Sequence, residues 1–75
     1  KRVNKGDALL RLAGELGVPQ HRLAAVGDSA NDLPMLAVVD LAVWVGRPEA
    51  LGDTPAEVFS DIDAALTRVL DWLAA

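Results

Sequence analysis

Two short runs without a polar side chain, Leu23-Ala24-Ala25-Val26 and Leu41-Ala42-Val43-Trp44-Val45, are each followed by a glycine. A strand with one wet face alternates apolar and polar residues, whereas a strand covered on both faces is apolar throughout. Four residues do not by themselves separate such a strand from a buried helical turn, so the flanking segments decide the matter. Before the first run, Leu9, Leu12, Ala13 and Leu16 recur at the spacing of one helical face. Asn4 is placed to cap that helix, with Asp7 completing a capping box, and Gly17 and Pro19 mark its end.

Between the two apolar runs, residues 28–31 read as a loop. A short helix over Asp32 to Val38 follows, capped by Asn31, with Pro34 in its first turn. Residues 46–55 hold two Gly and two Pro and read as a surface loop, and Glu57-Val58-Phe59 as a brief edge strand. Ser60 and Asp63 form a second capping-box pair, opening a helix with Ile62, Leu66, Val69, Leu70 and Leu73 on one face. The order α-β-α-β-(β)-α predicts an α/β fold of the doubly wound, Rossmann-like kind, with parallel strands flanked by helices in three layers.

Composition narrows this further. A chain of 75 residues that is 52% hydrophobic is rich for an object with so much surface. Some faces are therefore expected to be covered by more of the same protein or by another subunit. A net charge of −4, with basic residues that form no stripe, argues against nucleic-acid binding. With no cysteine, disulfides and thiolate metal sites are excluded, and a metal held by oxygen ligands would be a hard cation such as Mg²⁺. No apolar run approaches the roughly 18 residues of a membrane span. The start at Lys1-Arg2-Val3-Asn4 has neither an initiator Met nor the apolar stretch of a signal peptide, and reads as cut from a longer chain. A cytoplasmic location is the expectation.

The chemistry concentrates in GDSANDLPML, residues 27–36. In open α/β sheets, ligands bind outside the carboxyl ends of the strands. Asp28 stands at such a strand tip, with Gly27 read as allowing a tight exit. Asn31 and Asp32 open the next helix, whose free N–H groups favour an anion. One carboxylate at a strand tip beside a helix start suits a metal and a phosphate together, since Mg²⁺ takes one or two protein carboxylates and leaves its other positions to water and phosphate. The plainer alternative is that these residues cap a helix and solvate a loop. Lys5 opposes the dipole at the first turn of its helix, which is locally unfavourable; it is either a solvated surface residue or there for another reason.

Asn4-Lys5-Gly6-Asp7-Ala8-Leu9 resembles the third motif, N/D-K-G-x-A-L, of the haloacid dehalogenase (HAD) superfamily of phosphatases. Gly27-Asp28-Ser29-Ala30-Asn31-Asp32-Leu33-Pro34-Met35 is similar to its fourth, G-D-x-x-N-D-x-x-M. The resemblance extends over residues 3–46 and is to the Cof-type branch, whose cap domain is inserted before the third motif. Within it, Asp32 to Leu36, Val39-Asp40 and Val43 to Gly46 look most like the mannosyl-3-phosphoglycerate phosphatases.

By position, the resemblance implies that Lys5 neutralises the phosphoryl group and the nucleophile, Asp28 ligates Mg²⁺, Asn31 contacts phosphate, and Asp32 orients Lys5 or a metal-bound water. It implies a Mg²⁺-dependent phosphomonoesterase working through an aspartyl-phosphate, on a phosphorylated sugar or glycoside such as mannosyl-3-phosphoglycerate. Residues 1–75 would be the C-terminal portion of its core, without the cap and the first two motifs, and inactive alone.

The nucleophile's D-x-D-x-T/V run is missing from the chain. Asp61-Ile62-Asp63-Ala64-Ala65 imitates it, but lies after the fourth motif and continues into a helical period. His21 reads as a solvated loop residue, and Trp44 and Trp72 as packing residues. Arg47 follows a strand end and is a minor candidate for binding an anionic substrate. Two other readings stay open: a non-catalytic Mg²⁺/phosphate-binding module, and a structural fragment that folds only against its missing half.

Overall fold

The computed structural model describes residues 4–75; the reading of the start over residues 1–3 lies outside them. Helix α1 (Lys5–Leu16) is followed by strand β1 (Ala24–Gly27), the short helix α2 (Leu33–Leu36), strands β2 (Leu41–Val45) and β3 (Glu57–Phe59), and helix α3 (Ile62–Ala74). Both apolar runs are strands. They pair in parallel, Ala24 with Leu41 through Gly27 with Trp44, and β3 pairs in parallel with the other side of β2, giving the order β1-β2-β3. The α/β architecture with parallel strands flanked by helices is the expected one.

The side-chain alternation of each strand divides the core in two. On one face Ala25, Trp44 and Leu36 meet Leu51, with Leu33, Met35, Val39 and Ala42 around them. On the other, Leu41, Val43 and Ala65 form the centre, joined by Val26, Val45, Phe59, Val69 and Trp72. Both tryptophans are thus packing residues, as expected, and His21 is exposed. Trp44, at 1% exposure, is the largest buried side chain. Its indole N–H donates to the Arg47 carbonyl at 2.9 Å, which satisfies the one polar group it carries into the core.

The helix ends differ in detail from the sequence expectation. The Asn4 side chain accepts from the Asp7 N–H at 2.8 Å, which is one half of the expected capping box; among the described residues the Asp7 carboxylate accepts no return bond from the Asn4 N–H. Gly17 closes α1 in the left-handed conformation, φ 72°. At α3 the cap is Asp61, not Ser60, with its carboxylate accepting from the Ala64 N–H at 2.9 Å. The sequence offers three candidate caps within four residues, Ser60, Asp61 and Asp63, and the one in extended backbone three residues before a free N–H takes the role. This also assigns Asp61 to helix capping. The helix expected over Asp32 to Val38 is instead a 3₁₀ turn (Ala30–Asp32) running into the four-residue α2, and Ser29 rather than Asn31 precedes the turn as its cap. The loop after β2 also has internal order: a 3₁₀ turn over Pro48–Leu51 drives Leu51 into the core.

The largest correction concerns α3. Of the expected apolar face, Ile62, Leu66, Leu70 and Leu73 are all exposed, and the helix rests on the sheet through Ala65, Val69 and Trp72. Arg68 ties it to β3 with two hydrogen bonds to Glu57, at 2.8 and 3.1 Å. That guanidinium holds the Glu57 carboxyl below its usual range. Among the described residues, no helix is long and apolar enough to cross a membrane.

Candidate active site

The carboxyl end of β1, the turn after it and the first turn of α1 converge. Gly27 is the last residue of β1 and has an ordinary negative-φ backbone, so a tight exit does not explain it. Its importance is the absence of a Cβ: one placed there would lie 2.8 Å from the Asp32 Cβ and 3.1 Å from a Leu36 methyl. The glycine lets the chain fold back so that Asp32 tucks under the strand tip.

Asp32 is 6% exposed and is the buried charged residue among those described. Its Oδ2 accepts from the Asp28 N–H at 3.0 Å, the Ser29 N–H at 3.2 Å and the Ser29 hydroxyl at 3.4 Å. Its Oδ1 accepts from Lys5 Nζ at 2.5 Å. A buried carboxylate with donors on both oxygens is stable as the charged form. Lys5, followed by the Asp28 N–H, holds its pKa down to about 2, against the opposing effect of burial.

Gly6 sets the approach of Lys5. It is buried, and a Cβ there would fall 2.3 Å from the Pro34 carbonyl oxygen, so only glycine lets the start of α1 sit directly on α2. In the sequence Gly6 stands out only as part of the Asn4-Lys5-Gly6 motif, and its packing role belongs to the fold.

Of the four residues expected at the site, Lys5 and Asp32 are in direct contact, and the Asp28 backbone is bonded to Asp32. The Asp28 side chain is exposed, and no donor or cation among the described residues engages it. It borders a cleft of about 360 Å³ with Val26, Gly27, Val45 and Ile62. Asn31 is exposed in the 3₁₀ turn, and no hydrogen bond of its side chain links it to the other three.

Among the described residues, no three His, Cys, Asp or Glu side chains converge on one point. Asp32 is committed to Lys5, which leaves Asp28 as the carboxylate able to meet a cation. A single exposed carboxylate at a strand tip fits Mg²⁺, which completes its octahedron with water and phosphate oxygens.

The haloacid dehalogenase-like hydrolases match residues 1–51 of this chain. The chain belongs to that family. Over 75 residues it is 38% identical to a phosphoglycolate phosphatase of Methanothrix thermoacetophila, an alignment covering 97% of this chain and 34% of that protein. The phosphatase YwpJ of Bacillus subtilis is 39% identical over 64 residues, 85% of this chain and 20% of its own length. A phosphoserine phosphatase of Vibrio cholerae is 51% identical over 39 residues, 52% of this chain and 12% of its length. The chain therefore spans about a third or less of these curated relatives. No solved structure matches it.

Proposed function

We propose that this chain is the C-terminal part of the core of a Mg²⁺-dependent phosphomonoesterase. The observation that carries the reading is the Lys5–Asp32 pair, buried on its acidic side and set beside an exposed Asp28 at the carboxyl end of a parallel sheet. Membership of a hydrolase family and similarity to three phosphatases support it.

Lys5 supplies a fixed positive charge for a phosphoryl group. Its ammonium has three donors, of which Asp32 takes one, so two are left for phosphate oxygens. Asp32 acts through Lys5. Its own orientation is fixed by the Asp28 and Ser29 N–H groups, so the lysine is held in place before a ligand arrives. Asp28 would hold Mg²⁺, and Asn31 would donate its amide to phosphate. When bound, Mg²⁺ offsets charge on the phosphoryl oxygens and on the groups exchanging it. The nucleophilic carboxylate that forms the aspartyl-phosphate would come from a part of the protein beyond residues 1–75, as would the cap, where most of the substrate choice lies. We take the substrate to be a small phosphorylated acid, sugar or glycoside, mannosyl-3-phosphoglycerate among them, and the location to be cytoplasmic.

The test is hydrolysis of a panel of such phosphomonoesters by the full-length protein with Mg²⁺, with and without Asp28→Ala. Loss of the metal carboxylate removes stabilisation of developing charge, and kcat is expected to fall on the order of 10²-fold or more. A variant as active as the parent would sink the metal-ligand assignment. A full-length protein that binds Mg²⁺ and phosphate without hydrolysing any ester would favour the binding module instead.

A further inference from the structure

The end of the sheet that carries Asp28 also carries Arg47. Gly27, the last residue of β1, pairs with Trp44, so Asp28 leaves the sheet beside the end of β2, and Arg47 follows β2 two residues after its last residue, Val45. The main chain at this point is held from three sides. The Gly46 N–H donates to the Phe59 carbonyl at 3.2 Å, the buried Trp44 indole donates to the Arg47 carbonyl at 2.9 Å, and Leu51 anchors the following turn in the core.

The side chain is held by almost nothing. Arg47 Nη2 reaches Glu49 Oε2 at 3.4 Å, with side-chain exposures of 87% and 69%. A pair that open to water contributes little and is readily exchanged for another anion. A rigid backbone with a free guanidinium is the arrangement that recognises a planar anion, because the fork of N–H groups matches a carboxylate bidentately without the loop having to be ordered first.

We propose that Arg47 is a specificity-determining residue that binds a carboxylate carried by the substrate, and that Glu49 is the counter-ion displaced when it does. This rests on the phosphatase reading and goes beyond it, by placing a second anion-binding point one strand away from the phosphoryl site.

The test compares phosphoglycolate, which has a carboxylate, with p-nitrophenyl phosphate, which has none, on the full-length protein with Mg²⁺. The quantity read is the ratio of the two kcat/KM values. In Arg47→Gln the ratio is expected to fall about tenfold, through KM for phosphoglycolate rather than kcat, as loss of one charged bidentate contact implies. Arg47→Lys keeps the charge but not the fork and should fall between. Glu49→Gln removes the competitor and should raise the ratio about twofold, the scale of an exposed ion pair. A ratio unmoved in Arg47→Gln, or equal losses on both esters, would overturn the proposal. If the parent hydrolyses neither ester, the phosphatase reading fails, and calorimetric binding of phosphoglycolate then decides Arg47. Binding weakened about tenfold by Arg47→Gln supports it; binding absent from the parent, or indifferent to the substitution, refutes it.

Discussion

Helices α1 and α3 are of nearly equal length and both carry an apolar stripe, yet one docks beside an ion pair and the other through apolar side chains. The start of α1 docks through its smallest and most polar residues: Gly6 lies against the Pro34 carbonyl, and Lys5 reaches Asp32. The larger apolar residues Leu12 and Leu16 are left outside, at 51% and 68% exposure. Helix α3 docks through Ala65, which is fully buried, with Val69 and Trp72 beside it, while Leu66, Leu70 and Leu73 stay in the open. What they share is that the most deeply buried residue of each contact is small, Gly6 in α1 and Ala65 in α3, because there the backbones approach most closely. The long apolar side chains form a second layer that these residues do not cover.

The contrast can be broken most strongly at Gly6. In Gly6→Val the new side chain collides with backbone rather than with a flexible side-chain end. The cost is expected to be about 3 kcal/mol or more, read as a fall in the urea midpoint. Ala65→Leu tests the equivalent contact of α3. Its site has no exposure, so overpacking should cost about 2 kcal/mol; it should cost less than Gly6→Val if the helix can shift along the sheet.

Asp32→Asn sharpens the polar side of the comparison. The folded-state pKa of Asp32 lies below its ordinary value of 3.8, at about 2, so its ionised form stabilises the fold above pH 4. That contribution is lost as pH falls through the folded value; a depression of this size corresponds to about 2 kcal/mol. Urea midpoints measured between pH 5 and pH 2 should therefore drop steeply in the parent and less in the variant, and the two curves should draw together at the acid end. Parallel curves would show that the ionised form of Asp32 contributes nothing to the fold. The smallest effect is expected at Leu70→Gln. An exposed position on α3 should change the stability of these 75 residues by about 0.5 kcal/mol or less. A much larger loss in the full-length protein would show that another part of it covers this face.

Much of the fold was legible in sequence. The wholly apolar runs at Leu23 and Leu41 signalled strands buried on both sides, and Gly17 signalled the end of α1, because those positions depend on local backbone and solvent exposure. The capping residues were harder. Asn4 was identified correctly, but Ser60, Asp61 and Asp63 all carry suitable side chains, and so do Ser29 and Asn31. Which of them caps depends on a dihedral that the sequence does not state. The α3 face was misread for a different reason: periodicity shows which residues share a side of a helix, not which part of that side meets the sheet.

At the site, the residue types and spacing of Lys5, Asp28, Asn31 and Asp32 came from the sequence, as did the likeness to a hydrolase family. The sequence alone determined an α/β chain with an acidic strand tip and a lysine one helix and one strand earlier. Only the tertiary structure decided that Asp32 is buried and spent on Lys5 while Asp28 faces outward. The physical reason is close approach: two glycines, Gly6 and Gly27, remove the Cβ atoms that would otherwise hold α1, α2 and β1 apart. Which side chains then fall within bonding distance is a property of three elements together.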